Sequence, residues 1–279
     1  MHVHKIAFVG AGSIAEAVIA GLVQTQFVQG HQITVSNRSN QERLTYMQNT
    51  YGVNGTHNKQ ELLQDANIIF FVMKPKDVVD AVTSIKQYVK EDQLIISLLA
   101  GVSTSSITNL LEKDTPIIRA MPNTSAAILK SATAISPSIH ATKEHIDLAK
   151  QLFETIGIVS IVDEEQMHAV TALSGSGPAY IYYVVEAMEQ AAREIGLDEA
   201  TSKPLILQTM IGAAEMLKAT PKHPSILRKE ITSPGGTTQA GIETLQSYDF
   251  QKALVDCIVR ATERSHELGE TLTTLLDDK

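Results

Sequence analysis

A single glycine-rich segment near the start of the chain limits its fold more than any other feature. Gly10-Ala11-Gly12-Ser13-Ile14-Ala15 follows an apolar run at residues 5–9 and opens an amphipathic segment over 13–24. Such a turn between a strand and a helix has the G-x-G-x-x-A form of the dinucleotide fingerprint. Gly10 permits the tight turn, Gly12 lets a pyrophosphate approach the backbone, and Ala15 lets the helix lie close to the sheet. The free N–H groups at the helix start, with their partial positive charge, favour phosphate there. An ordinary Gly-rich βα turn is the alternative. The placement between a strand pattern and a helix pattern favours the nucleotide.

The same grammar continues to about residue 162. Apolar runs at 32–35, 67–72, 93–98, 116–119 and 157–162 alternate with helical patterns at 40–50, 76–89 and 142–155. Apolar strands separated by helices predict an α/β, doubly wound, mostly parallel sheet of Rossmann type. Ser39-Asn40-Gln41-Glu42 reads as a capping box at the start of the second helix. Beyond about residue 163 the strand pattern stops. Tyr180, Val184, Ala187 and Ala191 form one helical stripe, and Ile181, Val185, Met188, Ala192 and Ile195 form an adjacent one. So wide an apolar arc predicts a helix buried on several sides, centrally or in a subunit interface. Gly196 ends it, and Pro204 is expected in the first turn of the next helix. The expected domains are 1–163, a nucleotide-binding Rossmann domain, and 164–279, an all-helical domain.

Composition narrows the function classes. The 279 residues carry a net charge of −8, which disfavours nucleic acid and anionic membrane surfaces as partners but permits a small anionic ligand. No stretch approaches the roughly 20 apolar residues of a membrane span. No signal peptide is evident, so a cytoplasmic protein is expected. The single cysteine, Cys257, excludes a disulfide framework, and its helically spaced neighbours Leu254, Ile258 and Ala261 predict a buried thiol. The nine histidines show neither triad nor metal spacing, so no metal is expected. His2, His4, His140 and His145 are read as exposed.

The second strand bears on the choice of nucleotide. An acidic residue usually ends it where NAD is bound. Here Ser36-Asn37-Arg38 follows Val35, with no carboxylate. Arg38 can pair with a 2′-phosphate, so NADPH is favoured and NADH remains an alternative donor.

The second half supplies the most specific motifs. Leu173-Ser174-Gly175-Ser176-Gly177-Pro178-Ala179-Tyr180 and Thr232-Ser233-Pro234-Gly235-Gly236-Thr237-Thr238 closely resemble signature segments of the pyrroline-5-carboxylate reductase family. Val72-Met73-Lys74-Pro75, Ala100-Gly101-Val102-Ser103 and Arg119-Ala120-Met121-Pro122-Asn123-Thr124 are similar to the same family in the same order. Met73, Ala120 and Ser125 depart from its commoner residues without removing a functional group. The resemblance implies a Rossmann domain followed by a helical dimerisation domain, a homodimer that often assembles further, and a small cyclic imino acid as substrate. The implied reaction is the reduction of 1-pyrroline-5-carboxylate to L-proline by NADPH, the last step of proline synthesis. It also implies that Phe8, Val9, Gly10, Ala11, Gly12, Ser13, Ser36, Asn37, Arg38, Asn58, Val72, Met73, Lys74, Pro75, Leu99, Ala100 and Gly101 surround the dinucleotide. Ser233, Gly235, Gly236, Thr237 and Thr238 would hold the substrate, with Thr238, the catalytic candidate, near the ring nitrogen.

The chemistry of these residues agrees with that assignment. A Gly-rich turn opening a helix presents converging N–H donors beside Ser and Thr hydroxyls, which suits a carboxylate. The alternative is that Ser233 or Thr238 merely caps the helix. Residues 174–178 likewise have an alternative reading as a helix-breaking turn. An imine nitrogen is basic enough to arrive protonated, so hydride addition needs positioning more than a strong acid. A hydroxyacid dehydrogenase would need a lysine on the first helix between the domains, and none lies between Lys150 and Lys203. A reductase of a related cyclic imine, or a nucleotide-sensing homologue without catalysis, remain the alternatives.

Overall fold

The protein's structure, a computed structural model, describes Val3 and residues 5–277. Among them, eight strands form one sheet: β1 (Ile6–Val9), β2 (Ile33–Ser36), β3 (Asn54–Gly55), β4 (Ile68–Phe71), β5 (Leu94–Ser97), β6 (Ile117–Met121), β7 (Ser131–Pro137) and β8 (Gly157–Ile161). Their order is β3-β2-β1-β4-β5-β6-β7-β8, with every neighbouring pair parallel except β6 and β7. The strand order reverses between β1 and β4. Ligands of open α/β sheets bind at such a switch point, beyond the carboxyl ends of the strands. Six of the eight strands are the expected apolar runs. β3 is only two residues long, and β7 is built of small residues, Ser131-Ala132-Thr133-Ala134, that carry little strand signal.

Helices α1 (Ser13–Gln24), α2 (Gln41–Tyr51), α3 (Lys59–Leu63), α4 (Val78–Ile85), α5 (Thr104–Leu111) and α6 (Lys143–Glu154) accompany the strands. Two separate apolar clusters result. Ile6 and Phe8 join the residues of α1, α2 and α6 in one, while Ala7 joins those of α3, α4 and α5 in the other. That division is the two-residue period of a strand, read off three consecutive side chains. The Phe8 ring stacks on Phe70 across β1 and β4, with centroids 4.4 Å apart. Burying each ring contributes about 1.5–3 kcal/mol. The second helix does not start with the expected box: Asn40, not Ser39, is the cap, and its side chain accepts from the Arg43 amide at 2.9 Å. An amide oxygen on a short side chain serves that position as well as a hydroxyl.

The rest of the chain is helical, in α7 (Met167–Val170), α8 (Gly177–Glu194), α9 (Glu199–Ala219), α10 (Pro224–Glu230), α11 (Thr237–Ser247) and α12 (Phe250–Asp277). Residues 174–178 are not a helix-breaking turn. Thr171–Gly175 is one turn of π-helix, closed by a 2.8 Å bond from the Ser176 amide to the Thr171 carbonyl, and it leads straight into α8. Gly196 ends α8 at φ +84, with the Leu197 amide reaching back to the Ala192 carbonyl. Pro204 lies inside α9 rather than in its first turn, because Asp198 caps that helix earlier, accepting from the Thr201 amide at 2.9 Å.

The chain forms two compact units, Met1–Pro178 together with Val259–Lys279, and Ala179–Ile258. Within Ala179–Ile258 only Ala192 and Ile206 are buried hydrophobic residues, whereas Tyr183 is 76% exposed and Leu205, Ile211 and Met216 are exposed as well. The wide apolar arc of α8 is therefore present but uncovered in a single chain. Cys257 shares that condition. It is exposed rather than buried, as is Leu254 on the same helix, because their own unit does not cover this face.

Candidate dinucleotide and substrate sites

Four strand ends assemble the first site. The Gly10 amide donates to the Ser36 carbonyl at 2.9 Å, the Val72 amide to Val9 at 3.0 Å, and the Leu98 amide to Phe71 at 3.0 Å. Gly10 has φ +125, and a Cβ there would stand 2.7 Å from the backbone carbonyl of Val72, so only glycine fits. Gly12 differs. It occupies the N-cap of α1 in ordinary extended backbone, and a Cβ there would meet nothing within 4 Å. That open space and the uncapped amides of Ser13, Ile14 and Ala15 fit a pyrophosphate against the turn. Phe8 contributes only backbone here, since its ring lies in the core.

Beyond β2, Asn37 closes its own loop, donating to the Asn40 carbonyl at 2.7 Å and accepting from the Asn40 amide at 2.8 Å. Arg38 is exposed and makes no hydrogen bond or ion pair among the described residues. Asn58 caps α3, accepting from the Gln60 and Glu61 amides. Its neighbour His57 braces the loop, with Nδ1 3.1 Å from the Asn37 carbonyl and Nε2 3.2 Å from Gln41 Oε1. His57 was not among the expected residues, although its adjacency to Asn58 could have marked it.

A second group was also missed. Arg43 of α2 donates from Nε to the Ala11 carbonyl at 2.7 Å and pairs with Glu16 of α1 at 2.6 Å. Tyr51 and Tyr46 donate to the other Glu16 oxygen at 2.8 and 3.0 Å. Burial alone would raise the Glu16 carboxyl; the bonds from Arg43, Tyr51 and Tyr46 outweigh it and hold the group below its ordinary range. Burial and the adjacent Glu16 carboxylate push Tyr51 upward.

At the β4 and β5 ends, Met73 is half-buried, Lys74 and Ala100 are exposed, and Leu99 is buried. Pro75 opens a short 3-10 turn, and Gly101 takes φ +78. Glu164 anchors the loop that follows, accepting from the Thr104 amide at 2.8 Å and its hydroxyl at 2.7 Å. The same carboxylate pairs with Arg119 Nη1 at 3.2 Å. Arg119 is only 2% exposed, and its Nε and Nη2 have no hydrogen-bond partner among the described residues. Burial pulls its pKa down against the opposing pull of Glu164. Asn123 Nδ2 donates to the Ser174 carbonyl at 3.1 Å, so two motifs distant in sequence meet within the first unit.

The substrate candidates belong to the second unit. Gly235 has φ +72, and its amide donates to Gln239 Oε1 at 2.8 Å, while the Gly236 amide donates to the Ser233 carbonyl at 3.0 Å. Gly236 is the N-cap of α11 and no side chain caps it, so neither Ser233 nor Thr238 has that role. The hydroxyls of Ser233, Thr237 and Thr238 make no hydrogen bond among the described residues. Among the histidines, His140 and His145 are half-buried rather than exposed, His140 beside Asp114 at 3.4 Å and His145 accepting from the Thr142 amide at 3.1 Å. His2 and His4 lie outside the described residues.

Comparison with known proteins sets these sites in a lineage. Residues 164–268 match the family model for pyrroline-5-carboxylate reductase dimerisation, and residues 5–101 match that for NADP oxidoreductase, coenzyme F420-dependent. Pyrroline-5-carboxylate reductase 2 of Bacillus subtilis (strain 168) is 50% identical over 266 residues, covering 95% of each chain. The Staphylococcus aureus (strain COL) reductase is 36% identical, covering 95% of this chain and 98% of its own. The solved reductase of Coxiella burnetii superposes with a TM-score of 0.88 at 33% identity, covering 96% of this chain and 99% of its own. That of Plasmodium falciparum, solved with NADP bound, gives 0.87 at 26% identity, covering 95% and 98%. The chain belongs to the pyrroline-5-carboxylate reductase family.

Proposed function

We propose that this protein reduces 1-pyrroline-5-carboxylate to L-proline with NADPH, as a cytoplasmic homodimer. The observation that carries this reading is the turn before α11. Three hydroxyls stand unengaged there, beside a helix start that no side chain caps. The amides of Thr237, Thr238 and Gln239 take the substrate carboxylate, and Thr238 Oγ1 orients the ring N–H. The nicotinamide, when bound, supplies a hydride to the imine carbon. The C=N electron pair then passes to the nitrogen, already protonated on arrival, so the residues must position more than they must acidify.

On the nucleotide side, the amides that open α1 hold the pyrophosphate and Arg38 pairs with the 2′-phosphate. Ser36, Asn37 and Asn58 border the adenosine ribose. Val72, Met73, Lys74, Pro75, Leu99, Ala100 and Gly101 line the path to the nicotinamide. We assign nucleotide binding to residues 1–163 and dimerisation with substrate binding to 164–279. The uncovered faces of α8 and α9 support the dimer, since soluble monomers rarely expose so large an apolar surface.

The test is loss of NADPH absorbance with the five-membered imino acid, its six-membered homologue, or no imine. Turnover of the first in excess of the second supports the proposal. Nucleotide binding without any turnover overturns it in favour of a sensor. Light scattering that finds only a 30.3 kDa particle overturns the dimer.

A further inference from the structure

We infer that Arg43 is a positioning residue that aims the amides where the Gly10–Gly12 turn enters α1 at the pyrophosphate, and that Glu16 holds it there. The inference rests on the placement of the pyrophosphate proposed above. A trans peptide is planar, and its N–H points opposite to its C=O. The Ala11 carbonyl shares a peptide with the Gly12 amide, and the Gly12 carbonyl shares one with the Ser13 amide. Arg43 Nε grips the Ala11 carbonyl at 2.7 Å, and Nη2 lies 3.4 Å from that of Gly12. Fixing the Ala11 oxygen on the α2 side turns the Gly12 N–H to the opposite, open side. The Gly12 oxygen, which the Glu16 amide of α1 also bonds at 3.0 Å, keeps the Ser13 N–H at the helix start. A cationic donor on the carbonyl also polarises the peptide, strengthening the bond its N–H makes.

The charge arrangement serves the same end. Glu16 stands in the first turn of α1, where a bare carboxylate would repel a pyrophosphate. Arg43 compensates it at 2.6 Å, and the Tyr46 and Tyr51 hydroxyls occupy its other oxygen. Arg43 therefore both orients the donors and removes an opposing charge. Its planar fork presents Nε to the carbonyl and Nη2 to the carboxylate in one fixed geometry, which a lysine ammonium does not hold.

The experiment measures dissociation constants for NADP⁺, NAD⁺ and adenosine 2′-monophosphate, a probe that lacks the pyrophosphate, with melting curves alongside. Arg43→Ala is expected to weaken both dinucleotides by the same factor, about tenfold, and leave adenosine 2′-monophosphate unchanged. Arg43→Lys should recover part of the loss. Glu16→Gln added to Arg43→Ala should also recover part, since it removes the exposed charge. Unchanged dinucleotide binding in a folded Arg43→Ala overturns the inference, and so does a parallel loss for adenosine 2′-monophosphate. Gly12→Val is the control, because a Cβ at Gly12 meets nothing within 4 Å in the protein. Loss of binding in Gly12→Val but not in Arg43→Ala overturns the role of Arg43 alone. Retention in Gly12→Val overturns the pyrophosphate placement itself.

Discussion

His168 stacks on His266 with ring centroids 3.9 Å apart, and its Nδ1 lies 2.9 Å from Ser265 Oγ. Burial first, then His266 and Arg119, lower the His168 pKa from its ordinary 6.5, while Ser265 and Glu164 oppose the shift. The unfolded chain therefore takes up a proton at His168 before the folded one does. Stability from this group is complete above pH 6.5 and is lost as pH falls through the lower folded value. The urea midpoint should drop over that interval. His168→Gln should flatten part of the drop, since His145 is lowered by burial too and keeps its own share. An unchanged pH slope in His168→Gln would remove this assignment.

Arg38 should decide between the two nucleotides. It is exposed and unengaged, and charge-assisted bonds to a phosphate contribute about 1.5–3 kcal/mol. Arg38→Ala is expected to raise KM for NADPH about tenfold or more and to leave that for NADH nearly constant. Steady-state kinetics with each donor check it. Equal losses would make the residue structural.

Thr238 gives a sharper separation than its sequence position suggested. Gly236 is the cap and the Thr238 hydroxyl is unbonded, so Thr238→Ala should leave the melting temperature nearly unmoved. Turnover at saturating imine should fall about 10²-fold, the usual contribution of a positioned proton-handling group. Thr238→Ser should restore much of it. A melting shift with intact turnover would reverse the assignment.

Asn123 ties the β6 end to the π-turn and also accepts from the Ser125 amide at 3.2 Å. Asn123→Ala loses both, for a cost of about 1–3 kcal/mol at net values near 0.5–1.5 each. Urea unfolding should register that loss, and no change in midpoint would show that both bonds are replaced by water.

The sheet was legible because Ile68–Phe71 and residues 94–96 are apolar on both faces, a pattern few other structures need. β7 was not, because its alternate residues are Ser, Thr and Ala, whose burial depends on β6 and β8 lying alongside. The turn Gly10-Ala11-Gly12 could be read from its residues, but its support could not. Glu16 and Arg43 lie 27 residues apart, and each looks like a solvated charge on a helix until the helices meet. Cys257 misled for the converse reason. Helical spacing reports that a face is apolar, and says nothing of which chain covers it.

The division of the chain has a consequence for its synthesis. The unit that holds the sheet takes its last segment, Val259–Lys279, from beyond the whole of Ala179–Ile258. His168 meets Ser265 and His266 only when that segment exists. A ribosome that has passed residue 178 has synthesised every strand, yet the unit stays incomplete until α12 emerges. Domains fold as they leave the ribosome, amino end first, but this one must wait in a nearly finished state while a segment with little core of its own is made. Translation speed across 179–258 thus sets how long that unfinished sheet is exposed to other nascent chains.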